Sequence, residues 1–86
     1  MQNVIFVIGS VTTASRFKKI LNKRGCYSAE VIHTPGEIST GGCSYSVRAK
    51  YECLAVGLQT AHDFSVGIKK VYRETGQKER VYDDIS

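Results

Sequence analysis

The sequence predicts an α+β chain of ferredoxin-like β-α-β-β-α-β order, an antiparallel sheet with two helices on one face. Three features predict it: a nearly uninterrupted apolar run at residues 3–10, a capped helical segment at 12–24, and a strand, loop, strand, helix and strand in succession through residue 73. Right-handed crossovers place both helices on the same face of such a sheet.

The run NVIFVIGS is rich in β-branched and aromatic residues, as expected of a central strand buried on both faces. Ser10, Thr12 and Thr13 offer helix caps, and Ala14, Phe17, Ile20 and Leu21 recur at helical spacing until Gly25 stops the helix. Residues 27–33, YSAEVIH, resume a strand pattern that ends at Thr34-Pro35-Gly36. Tyr45, Val47, Ala49 and Tyr51 then alternate with polar residues, which predicts a third strand beginning at or just after Cys43. Leu54, Leu58 and Ala61 share one helical stripe, so a second helix is expected over 52–64, weakened slightly by Gly57. A short edge strand follows at 68–73, IKKVYR, leaving a polar C-terminal extension over 74–86 after a single domain at 1–73.

At 86 residues, 42% hydrophobic and 23% charged, the chain can bury a modest core but has no room for a deep, walled cleft. Any chemistry must use a shallow site. The apolar run Val4–Ile8 falls far short of the roughly 18 residues that span a bilayer, and no basic stretch precedes it. Cys26, Cys43 and Cys53 are odd in number and lack C-x-x-C spacing, which argues against a disulfide framework or a four-cysteine zinc site. A soluble protein of a reducing cytoplasm is expected, with no membrane partner and no cofactor. The net charge of +4 is spread over several segments, with one cluster at Arg16, Lys18, Lys19, Lys23 and Arg24 that suits a solvated helix face.

The segment HTPGEISTGGCSYSVR holds the candidate chemistry. A loop of residues 34–43 is longer than an ordinary hairpin connection, and such loops are often functional. Gly41 and Gly42 precede Cys43; they can bring backbone N–H groups toward an anion and so favour a thiolate, the reactive form of cysteine. Arg48 is a second source of positive charge if it reaches the loop, and Glu37 is a candidate proton acceptor. The plain alternative is a cysteine in a glycine-rich turn at a strand start. Hydroxyl and glycine residues offer little apolar area, so the loop from Thr34 to Gly42 is expected to be exposed. Cys53 near a helix start and Cys26 after Gly25 read as structural residues. His33 and His62 could join Cys43 as metal ligands, but none shares a ligand spacing with another, and no metal is expected.

Thr34-Pro35-Gly36-Glu37-Ile38-Ser39, followed by Cys43 and a strand reaching Arg48, resembles the T-P-R-E-[IL]-S…C-G…R signature of a selenium/sulfur carrier-like family of small bacterial domains. The resemblance covers most of the chain, through Val71-Tyr72-Arg73. Thr34, Pro35, Glu37, Ile38, Ser39, Cys43 and Arg48 match; Gly36 stands where the family has arginine, and Ser44 where it has glycine. The resemblance implies a carrier or accessory protein rather than a stand-alone enzyme. Cys43 would accept sulfur or selenium as a persulfide or selenosulfide, with Arg48 and Glu37 in the reactive group and Thr34, Pro35, Ser39, Gly41 and Gly42 shaping the loop. The implied partner is a sulfurtransferase-like or other selenium/sulfur-metabolism protein.

The competing reading is a non-catalytic binding or dimerisation module with a nucleic acid or protein partner, or a homodimer through its sheet. Phe6, Tyr45 and Tyr51 would supply stacking aromatics, but the RNA-binding aromatic spacing is incomplete, so nucleic acid is the weaker partner.

Overall fold

The computed structural model describes residues 2–39, 45–76 and 81–85. The elements run β1 (Asn3–Val7), α1 (Val11–Lys23), β2 (Glu30–His33), β3 (Tyr45–Lys50), a 3₁₀ turn (Tyr51–Cys53), α2 (Leu54–Asp63), β4 (Lys70–Thr75) and β5 (Val81–Asp84). All strand pairs are antiparallel, in the order β2-β3-β1-β4-β5. The sheet therefore has one strand more than the four expected.

β1 is central because Val4 to Val7 are apolar on both faces, and all four are buried. Ser10 caps α1 by accepting a hydrogen bond from the Thr13 amide, and Gly25 follows its end at φ +98°, a conformation that costs glycine little. β2 is shorter than expected, since residues 26–29 form a turn in which the Cys26 amide bonds Leu21 and the Ala29 amide bonds Cys26. β5 was not foreseen because the tail is polar overall. It is held to β4 by register, with Arg73 paired to Asp83 at 2.8 Å and Lys70 to Asp84 at 3.0 Å, while Tyr82 packs inward.

Strand alternation gives the sheet two different faces. Val4, Phe6, Val47, Ala49 and Val71 face both helices, meeting Ala14, Phe17 and Leu21 of α1 and Leu54, Val56 and Ala61 of α2. Phe6 and Phe17 stack edge to face with centroids 5.3 Å apart. Gly57 lets α2 approach this ring: a Cβ there would fall within 2.9 Å of Phe6 Cε1 and Cε2, so the small helix-propensity cost of glycine is offset by packing. The helices are joined at their C-terminal ends by Arg24, which pairs with Asp63 at 2.9 Å, donates to Thr60 Oγ1 at 3.3 Å and covers the Phe64 ring. One member of the basic cluster is thus a clasp. No described helix is long and apolar enough to cross a membrane.

Cys26 and Cys53 are joined by a disulfide, with Cα atoms 6.0 Å apart. This corrects the expectation of unpaired structural cysteines. An odd count of three says nothing about two that the fold brings together across a separation of 27 residues.

Candidate functional site

The second face carries Ile5 and Val7 of β1, Ile32 of β2, Ser46 and Arg48 of β3, Tyr72 and Glu74 of β4 and Tyr82 of β5. The first part of the long loop lies against it. Ile38 is buried on Ile5 and Val7, and its amide bonds the Pro35 carbonyl at 3.0 Å, closing a turn around the exposed Gly36 and Glu37. The Thr34 and Ser46 hydroxyls are 2.7 Å apart, with Ser46 fully buried. The loop is therefore not wholly exposed as expected. One isoleucine in a polar stretch suffices to anchor it, because β1 leaves Ile5 and Val7 open on that side.

Beside this anchor is a polar cluster. Glu74 is 1% exposed; it accepts from Asn3 Nδ2 at 2.9 Å and pairs with Arg48 at 3.1 Å. Arg48 also lies 3.7 Å from Glu30, and its Nε is buried without a hydrogen-bond partner among the described residues. Tyr82 completes the group by hydrogen bonding to Glu74. Burial raises the Tyr82 hydroxyl pKa above its ordinary 10.0, helped by the negative charges of Glu74 and Glu37 and opposed by Arg48. Glu37 itself is exposed at the turn.

The structure thus brings Thr34, Pro35, Glu37 and Ile38 to the sheet face that bears Arg48. Ser39 follows the anchor and is exposed. Gly41, Gly42 and Cys43 lie outside the described residues. Arg48 reaches Glu30 on the neighbouring strand β2 and, across β1, Glu74 on β4, and does not simply point outward as a spare cation. Asn3, Ser46, Glu74 and Tyr82 were not singled out from sequence. Their one local signal is parity: each sits at the strand position that alternation assigns to the face away from the helices. Among the described residues no group of three or more His, Cys, Asp or Glu is placed to hold a metal. The proposed stacking aromatics do not form a platform here: Phe6, Tyr45 and Tyr51 belong to the helix-side core.

Comparison with known families adds one match, to a family described as "Putative Se/S carrier protein-like", over residues 3–73. The chain belongs to this family. No curated protein and no solved structure matched. The carrier-like match ends at Arg73, so Glu74 and Tyr82, two of the groups around Arg48, lie beyond it. A side chain at Gly36, where the family signature has arginine, would enter open space, so the glycine is not imposed by packing.

The Tyr82 environment has a consequence for stability. The folded-state pKa is raised above the unfolded value, so the neutral phenol is the form the fold favours. Its contribution is complete below pH 10.0 and is lost as pH rises through the folded pKa. Urea midpoints of the parent and of Tyr82→Phe, measured from about pH 8 to 12, should diverge from constant separation only above the ordinary tyrosine pKa. A constant separation throughout would show that the hydroxyl does not titrate differently in the fold.

Proposed function

We propose that the chain is a sulfur or selenium carrier that loads Cys43 as a persulfide or selenosulfide and passes the atom on by thiol exchange. Family membership over residues 3–73 is the observation that carries this reading. The folding of Thr34–Ile38 onto the Arg48 face supports it, because a carrier loop needs a fixed base.

In loading, the Cys43 thiolate attacks the outer sulfur of a donor persulfide; the donor S–S bond breaks and the donor leaves as a thiolate. In discharge, an acceptor nucleophile attacks the outer sulfur and Cys43 returns as a thiolate. Glu37 takes the thiol proton, and Gly41 and Gly42 offer N–H groups to the anion. Arg48, paired with Glu74, lies on the sheet face against which Thr34–Ile38 fold and acts on the anion as part of that pair, while Thr34, Pro35 and Ser39 shape the loop. The donor or acceptor is a sulfurtransferase-like or other selenium/sulfur-metabolism protein of the cytoplasm. The architecture is read as a ferredoxin-like core, supported by the β2-β3-β1-β4 order, with residues 74–86 extending a 1–73 domain through β5.

The test is intact mass after incubation with a small-molecule persulfide donor. The parent should gain the mass of one sulfur atom, removable by a thiol, and Cys43→Ser should gain none. Equal loading of both proteins, or of neither, would return the chain to the binding-module reading.

A further inference from the structure

A second sulfur site lies at the other end of the sheet. The loop joins β2 and β3 at the His33–Tyr45 pair, whereas Cys26 precedes β2 and Cys53 follows β3 after Lys50. From Tyr45 to Lys50 the strand rises roughly 17 Å, so the bond lies at the opposite end of β3 from the His33–Tyr45 pair.

The Cys26–Cys53 bond borders a surface pocket of about 160 Å³, lined by both cysteines together with Tyr27, Ser28, Lys50 and Glu52. Tyr27, Lys50 and Glu52 are exposed around it, while Cys26 and Cys53 themselves are 3% and 7% exposed, so the bond lies at the floor of this pocket on the margin of the helix-side core. Ser28 Oγ lies 3.8 Å from each sulfur. That oxygen accepts the Lys50 amide hydrogen at 3.0 Å, which leaves its own proton to donate to sulfur. Cys53 also occupies the N-cap position of α2, with no side-chain capping bond, at the positive end of the helix dipole, and the Lys50 side chain lines the same pocket with the single carboxylate of Glu52. A bond whose only task is to crosslink needs neither an opening nor thiolate-stabilising neighbours.

We propose that Cys26 and Cys53 form a redox-active dithiol/disulfide pair that exchanges electrons with a dithiol donor, independently of the loop cysteine. A donor thiolate attacks Cys26 Sγ, the intramolecular S–S bond breaks, and its electron pair goes to Cys53 Sγ at the α2 N-terminus. The second donor thiol then attacks the donor sulfur of the mixed disulfide and releases Cys26 as a thiolate. The donor is oxidised by two electrons to its disulfide, the pair is reduced, and the two donor protons pass through water to the two cysteines.

The experiment uses the full chain carrying Cys43→Ser, so that only this pair reacts. Dithiothreitol is added in native buffer, samples are alkylated with iodoacetamide at intervals, and intact mass counts the adducts. The expected result is conversion from no adduct to two, at a rate proportional to dithiothreitol concentration, with far-UV circular dichroism unchanged. Lys50→Glu should slow reduction about tenfold and Ser28→Ala about threefold, because each removes stabilisation from a developing thiolate. Reduction that requires denaturant, variants that react at the parent rate, or a chain carrying two free thiols after air oxidation would each overturn the proposal.

Discussion

Arg48→Met should destabilise the fold by about 3 kcal/mol, measured as a shift in urea midpoint at neutral pH, because it strands the Glu74 carboxylate without its cation. Glu74 is 1% exposed, whereas the Arg48 side chain is 26% exposed, so the cost falls on the carboxylate that water cannot reach. Asn3 and Tyr82 would still donate to Glu74, and this keeps the loss toward the lower end of what breaking a buried pair costs. The methionine replaces most of the arginine stem, so lost packing contributes little.

The control is the double variant Arg48→Met, Glu74→Leu. Removing both charges leaves no unpaired ion, so most of the lost stability should return. A single variant within about 0.5 kcal/mol of the parent would mean that Glu74 is solvated in solution and that the cluster does not tie β3 to β4. The result also bears on the carrier reading. An arginine held by Glu74 acts on a loop anion as part of a nearly neutral pair, so its long-range effect on a thiolate is weaker than that of a lone cation at the same place.

How much of this was legible follows from how local each signal is. β1 and α1 were readable because NVIFV has no polar interruption and because Ser10 and Gly25 mark the helix ends within the helix's own sequence. Thr34 to Ile38 stood out by composition, yet nothing near Ile38 says that Ile5 and Val7 leave room for it. The partners of Arg48 are farther still: Glu74 lies 26 positions away, and the register that puts both on one face depends on β1 pairing with β3 and β4 together. β5 depends on ion pairs with β4 that become visible only once the strands are side by side. The same limit hid the Cys26–Cys53 bond, where compositional reasoning treated each thiol alone.

Breaking that bond should cost about 3.5 kcal/mol, from the chain entropy regained by an unfolded loop with a sequence separation of 27. For a chain of this size that corresponds to a fall in Tm of about 20 °C. The bond ties the turn after α1 to the start of α2, two segments that otherwise meet through Ser28, which reaches both sulfurs and the Lys50 amide. Reduced Cys26 and Cys53 would remain at the edge of the helix-side core as small apolar groups, so the lowered stability should come without a change of fold. Thermal melts of the oxidised chain, the reduced chain and Cys26→Ala, Cys53→Ala separate the contributions. The reduced and doubly substituted chains should melt close together and well below the oxidised one. If all three melt within a few degrees, the bond does not constrain the unfolded chain; if the reduced chain alone loses its circular dichroism, reduction in native buffer is unfolding rather than exchange at an open site.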